Sequence, residues 1–279
     1  MPSALVTGAS RGIGQATALT LAGHGWHVYA GVRRPQDGVE LAAHQPGRIT
    51  PVELDITVPD QIKALAGTLP EQLEAVVNNA GIVVGGPVEA VPVDELRRQL
   101  EVNVVAQQAV TQAVLPRLRR SRGRIVFVSS LSGRVSTPLM GAYNASKFAL
   151  EALADALRME LAPWGVHVSL VEPAQTDTDI WRHAPEMLEG AVAALSPEHR
   201  ALYAAHIEGL RRSIPRSQRM AASPQGVAAT IEKALSDRRP RARYVVGRSA
   251  RLQLLLAQLT PTPLRDSVLR RATGVPPRA

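Results

Sequence analysis

The sequence predicts an α/β protein: a single domain over residues 1–279, built as one doubly wound parallel sheet of about seven strands with helices on both faces. Short apolar runs alternate with helical patterns through about residue 170, and strands joined through helices imply the crossovers of a parallel sheet. Residues 125–128 and 166–171 are nearly continuous in apolar side chains, as strands buried on both faces are, with His167 and Ser169 as exceptions.

In chain order, residues 4–6 read as a first strand, followed by a glycine-rich turn and a helix to about Gly23. Residues 26–32, 48–54 and 75–77 are the next three strands, and a long helical stretch covers about 93–120. A fifth strand at 124–129 precedes a helix at about 143–161, and a sixth lies at 166–171. Residues 174–222 hold no clear strand but carry helical patches at 181–195 and 197–212, and they read as a helical substrate lid. A helix at 224–235 and a short strand at 244–246 close the fold. A basic tail from about 249 to 279 has one apolar patch, 252–259, before a Pro-rich end.

Composition excludes several classes. At 45% hydrophobic and 20% charged, the chain is an ordinary globular protein and not a disordered one. It has no cysteine, which rules out disulfides, thiol chemistry and cysteine-held metals. No metal site is assigned. No apolar run approaches the ~20 residues of a membrane span, and Met1-Pro2-Ser3 leads directly into a strand-like run, so the expected location is the cytoplasm. The net charge of +8 is uneven: residues 238–279 hold ten arginines and one acid, Asp266, leaving −1 on residues 1–237. A basic tail on a neutral body is a poor nucleic-acid footprint. The arginine-flanked patch at 252–259 could lie on an anionic membrane, the less favoured option, or pack across a subunit interface or over the pocket.

Thr7-Gly8-Ala9-Ser10-Arg11-Gly12-Ile13-Gly14 links the first strand to the first helix. Its glycines permit positive φ and close phosphate approach, and the helix N-terminus offers unpaired N–H groups. It therefore reads as a phosphate-binding turn as well as a tight βα turn. Where an acid at the end of the second strand would bind ribose hydroxyls, Gly31-Val32-Arg33-Arg34 has two guanidiniums, suited to a phosphate unless they are a solvated pair. Tyr143 and Lys147, four apart on a helix, share a face. A neighbouring ammonium lowers a phenol's pKa from ~10, and such a phenol can donate or accept a proton near neutrality. Only three of the 32 basic residues are lysines, so an ammonium at 147 is a pointed choice, although an amphipathic helix with a snorkelling lysine has the same spacing. Ser129, Ser130, Ser132 and Ser136 supply hydroxyls beyond a strand's carboxyl end, where such sheets place active sites.

These motifs resemble, in order, those of the short-chain dehydrogenase/reductase family, over about residues 3–247: the glycine turn, Asn78-Asn79-Ala80-Gly81, Tyr143-Asn144-Ala145-Ser146-Lys147, and Pro173-Ala174-Gln175-Thr176-Asp177-Thr178. The resemblance implies a Rossmann-type fold and hydride transfer between a nicotinamide and a carbonyl or secondary alcohol. It selects Ser130 to hold the substrate oxygen, Tyr143 as acid/base, Lys147 to tune Tyr143 and bind ribose, and Asn103 to bend the long helix and serve a proton relay. It implies cofactor contacts at Gly8, Ser10, Arg11, Gly12, Ile13, Gly14, Arg33, Asp55, Ile56, Asn79, Ala80, Gly81, Tyr143, Lys147, Pro173, Thr176 and Thr178. Arg11 and Arg33 match positions that hold the 2′-phosphate, so NADP(H) is expected over NAD(H). Asp55 would bind the adenine amine, or else cap a turn. Ala174 stands where the family has glycine; a positive φ there would cost about 1 kcal/mol.

The layout resembles the 17β-hydroxysteroid dehydrogenase-like and retinol dehydrogenase-like branch. An apolar lid and Leu139-Met140 favour a bulky lipophilic carbonyl or alcohol, although lid side chains can equally pack on one another. Small residues on or beside the 143–161 helix, Ala142, Ala145, Ala149 and Ala152, fit the pairing common in the family, so a homodimer or homotetramer is expected. The competing class is a non-catalytic dinucleotide sensor, which would not need Ser130, Tyr143 and Lys147. An isomerase or dehydratase fits the compact length less well.

Overall fold

The computed structural model describes residues 1–275. Its strands are β1 Ser3–Thr7, β2 His27–Val32, β3 Ile49–Glu53, β4 Ala75–Asn78, β5 Arg124–Val128, β6 His167–Glu172 and β7 Arg243–Val245. They form one seven-stranded sheet in the order β3-β2-β1-β4-β5-β6-β7, with every pair parallel. The order reverses between β1 and β4, which opens a crevice at the carboxyl ends of those strands.

Helices α1 Gly12–Gly23, α2 Pro35–Ala43 and α3 Pro59–Thr68 follow the first three strands. After β4 come α4 Val93–Leu100 and α5 Ala106–Ser121, joined by a π-helical turn at Glu101–Val105. The periodicity alone predicts one continuous helical stretch here, and the break falls at Asn103, where the resemblance implies a bend. Helix α6 Gly141–Leu161 carries Tyr143 and Lys147. Residues beyond β6 form α7 Asp179–Arg182, α8 Ala184–Ala193, α9 Pro197–Leu202 and α10 Ala204–Arg219, before α11 Pro224–Ser236 returns to the body. The tail is more ordered than its sequence pattern implies, with α12 Arg248–Leu259 and α13 Thr262–Thr273. Pro261 and Pro263 occupy the N-cap and first turn of α13, where no helical N–H is lost, so the prolines start a helix and do not prevent one. Residues 276–279, the end of the tail, lie outside the described residues.

The register explains the two-layer core. Leu5, Val76, Ile125 and Val168 pair in sequence across four strands and face α3, α5 and α6. Their neighbours Val6, Val77 and Val126 face α1, α2 and α11. Each strand is thus apolar on both sides, and helices cover both. His167 sits at the exposed start of β6, and the Ser169 hydroxyl donates to the Arg241 carbonyl at 2.7 Å, which accounts for the two polar exceptions. Among the described residues no helix is long and apolar enough to cross a membrane.

Candidate active site

The glycine turn is held by packing and by the end of β4. Gly8 and Gly12 have φ of +63° and +57°. A Cβ on Gly14 would lie 2.5 Å from Asn79 Nδ2 and nearer still to the Gly8 carbonyl oxygen, so only glycine lets the first turn of α1 close on β1. Asn79 Nδ2 donates to the carbonyls of Thr7 and Gly8 at 2.9 and 3.2 Å, and the Thr7 hydroxyl accepts from the N–H groups of Asn79 and Ala80, each at 3.0 Å. Thr178 rests against Gly12 from the start of the helical segment. Ser10, Arg11 and Ile13 complete the turn. The N-terminus of α1 has no side-chain cap and no acid in its first turn, so its N–H groups and partial positive charge stand available to an anion. These are features a dinucleotide phosphate would fit.

At the end of β2, Arg34 pairs with Asp37 at 2.9 Å, whereas Arg33 is exposed with no acidic partner among the described residues. Arg11 reaches Asp179 at 3.6 Å. Asp55 behaves as the turn cap that its sequence also allowed: its Oδ1 accepts from the N–H and hydroxyl of Thr57, at 2.9 and 2.7 Å. Ile56, beside it, is buried in the core, leaving only its backbone for a ligand.

The candidate proton-handling side chains Ser130, Tyr143 and Lys147 converge at the carboxyl end of β5. Ser130 follows β5, and its hydroxyl accepts from the Ser132 N–H at 3.1 Å. Burial pushes the Tyr143 phenol above its ordinary value, and the neighbouring Ser130 hydroxyl pulls the other way. An ammonium neighbour alone predicts a lowered phenol, and the net direction here is opposite. Lys147 Nζ lies 5.8 Å from the Tyr143 ring centroid and donates to the Val128 carbonyl at 2.8 Å, so desolvation dominates. Burial also lowers the Lys147 ammonium to about 8, with Glu151, one turn on, acting against that shift.

Asn103 lies in the π-helical turn, as its expected bend requires, and is fully buried. Its Oδ1 accepts from the Ile82 N–H at 2.9 Å, while Nδ2 donates to the Ile82 carbonyl at 3.0 Å and to Ser146 Oγ at 3.1 Å. Both amide hydrogens are therefore engaged in tying the 79–82 loop to α6, and a relay would have to use the backbone of the widened turn. Gly81 packs against the same side chain. Pro173 accepts from the Leu131 N–H at 3.1 Å, which joins the loops after β5 and β6. Ala174 is not among the residues with positive φ, so the feared strain is absent. Thr176 pairs with Ala222 in a short parallel bridge and donates to the Ala174 carbonyl at 3.1 Å, closing both ends of the helical segment onto one loop.

Sequence reasoning missed several contributors. Gln99 and Gln107 are fully buried and bind the backbone of Ile82, Val84 and Ala80. Leu139, named from the sequence only for its apolar side chain, also turns the chain into α6 at φ +62°, and its carbonyl accepts from Gly86 at 2.8 Å. Behind Lys147, Glu172 is fully buried and meets Arg134 and Arg243, each at 3.2 Å, and Arg243 also holds Glu151 at 3.0 Å. Burial and the facing Glu151 push Glu172 up to about 7. Isolated glutamines and scattered acids carry no local pattern in the sequence, whereas Thr7 was visible as the first residue of the glycine motif.

The family profile described as short chain dehydrogenase matches residues 2–189, and the chain belongs to this family of nicotinamide-dinucleotide oxidoreductases. It is 34% identical over 275 residues to retinol dehydrogenase 5 of Mus musculus, covering 95% of this chain and 86% of that one. It is 31% identical over 280 residues to the NADPH-dependent 3-dehydrocapnine reductase of Ornithobacterium rhinotracheale, covering 96% of each. A solved short chain dehydrogenase of Burkholderia cenocepacia J2315, in complex with NADP, matches with a TM-score of 0.71 and 28% identity over 93% of this chain and 98% of that one.

Proposed function

We propose that the protein is an NADP(H)-dependent carbonyl reductase or alcohol dehydrogenase for a bulky lipophilic substrate. The observation that carries this is the convergence of Ser130, Tyr143 and buried Lys147, whose Nζ lies 5.8 Å from the Tyr143 ring centroid and donates to the Val128 carbonyl at 2.8 Å, at the carboxyl ends of the strands where the uncapped α1 N-terminus also lies. When bound, the dinucleotide supplies or accepts the hydride at its nicotinamide carbon. Ser130 and Tyr143 hold the substrate oxygen, and the Tyr143 hydroxyl gives it a proton in reduction or takes one in oxidation. Lys147 would hold the ribose hydroxyls and keep a positive charge beside the phenol. Asn103 positions the 79–82 loop and α6, with Gln99 and Gln107 bracing the same loop.

Preference for the 2′-phosphate rests on Arg33, since Arg34 is engaged by Asp37; Arg11 would leave Asp179 to join it. The names of the reductase relative and of the NADP complex support the same choice. Asp55 and Ile56 would border the adenine, and Pro173, Thr176 and Thr178 the carboxamide. Helices α7 to α10 form the lid, but Leu195, Ile207 and Ile214 pack it internally, and Leu202 is exposed, leaving Trp181 and Leu188 closer to a substrate. A homodimer or homotetramer would form through α6, where Ala145 and Phe148 are exposed.

The test is NADPH oxidation on lipophilic ketones and aldehydes, with NADH and Tyr143→Phe in parallel. Turnover preferring NADPH and falling by about 10²- to 10⁴-fold in the variant is expected. Undiminished turnover by Tyr143→Phe would remove it as the proton donor.

A further inference from the structure

The tail turns its apolar face outward. On α12, Leu252, Leu255, Leu256 and Leu259 fall at i, i+3, i+4 and i+7, so they form one stripe. They are 58%, 52%, 55% and 73% exposed, while Ala250 and Leu254 on the opposite side are buried against the body. Helix α13 adds exposed Leu264 and Val268. An ordinary surface helix has the reverse polarity. The tail is nonetheless docked: Gly209 on α10 and Gly274 after α13 interlock so closely that a Cβ on Gly274 would lie 2.5 Å from the Gly209 Cα, and Val275 is buried. The leucine stripe is therefore held in place on a folded surface.

From these observations we propose that α12 and α13 dock the protein onto an anionic lipid bilayer, with α12 lying in the interface plane. Between Arg248 and Thr273 there are five arginines and one acid, against a body of −1. Guanidiniums beside an aliphatic stripe match lipid phosphates and acyl chains together. A second copy fits less well. Two-fold pairing through α12 would cover the leucines but offer Arg248 and Arg251 no opposite charge, because α12 carries no acid, whereas anionic lipid phosphates supply it. A nucleic-acid backbone would leave the leucines uncovered.

The test is co-sedimentation of the full-length protein with vesicles of phosphatidylcholine alone or with one third phosphatidylserine, at low and high salt. Binding to the anionic vesicles that weakens in high salt is expected. Arg248→Gln with Arg251→Gln should weaken it by about 25-fold, about fivefold per arginine. Leu255→Gln, Leu256→Gln and Leu259→Gln together should abolish it with unchanged circular dichroism and melting temperature. No binding to either vesicle, or undiminished binding by the leucine variant, overturns the proposal. So does a dimer by light scattering that the leucine variant dissolves, since a second copy would then cover the stripe. Vesicle binding is read without turnover, so its failure is separate from failure of the catalytic assignment.

Discussion

Replacing Gly14 by alanine probes the joint between fold and cofactor site. The added methyl would stand 2.5 Å from Asn79 Nδ2 and nearer to the Gly8 carbonyl oxygen, where unstrained contacts need about 3.5 Å. Helix α1 must then move by about 1 Å from β1, an overpacking cost of about 1–3 kcal/mol. The two Asn79 donations, at 2.9 and 3.2 Å, would weaken as well, at about 1 kcal/mol each. A loss of about 3 kcal/mol corresponds to a melting temperature lower by roughly 6–12 °C. The shift also moves the N–H groups that would hold a phosphate, so NADPH affinity should fall at least about tenfold, the worth of one charge-assisted hydrogen bond. Calorimetry and a fluorescence titration with NADPH read the two effects. Gly23→Ala, in the same helix with no atom within 4 Å of the new methyl, is the control and should be neutral or slightly stabilising. Wild-type stability and affinity in Gly14→Ala would refute the close-packing account of this turn.

Other outcomes follow from single residues. Arg33→Asp should lower kcat/KM for NADPH relative to NADH by at least about tenfold, because a guanidinium–phosphate contact is worth about 1.5–3 kcal/mol; an unchanged ratio in steady-state kinetics would move the 2′-phosphate contact elsewhere. Glu172 rises from an ordinary 4.5 to about 7, so between those values the folded state holds a proton that the unfolded chain releases, and stability should decline as pH rises through that window. Urea denaturation at several pH values should show the decline in the wild type and a flatter profile in Glu172→Gln; identical slopes would argue against a buried, proton-holding Glu172. Phe148→Glu, on the exposed face of α6, should convert an oligomer to a monomer in light scattering, and a persisting oligomer would place the interface on another face.

The parts of this protein legible in the sequence are those whose physics is local. Strand–turn–helix order, continuous apolar strands, the glycine turn and the Tyr143–Lys147 spacing each follow from residues within about one helical turn or one strand of each other. Helix α2 escaped because Gly38 breaks its pattern, yet that glycine is required by Pro51 of β3, whose Cβ would lie 2.6 Å from an added methyl. Nothing in the periodicity of 93–120 marks a π-turn; only the resemblance points to a bend at Asn103, and the break depends on Asn103 reaching Ile82 and Ser146, which are 21 and 43 residues away.

The sequence by itself determined the layered parallel architecture and the family, and it named the side chains proposed to carry the chemistry. Only the tertiary structure decided how those side chains are charged and held. The direction of the Tyr143 shift is a contest between burial and neighbours. The Glu151–Glu172–Arg243 cluster joins α6, β6 and β7 across 92 and 71 residues. Whether leucines 252–259 pack inward or face out depends on what surface the rest of the chain leaves beneath them. Periodicity marks which residues share a face, but desolvation and long-range pairing exist only once the other elements are in place.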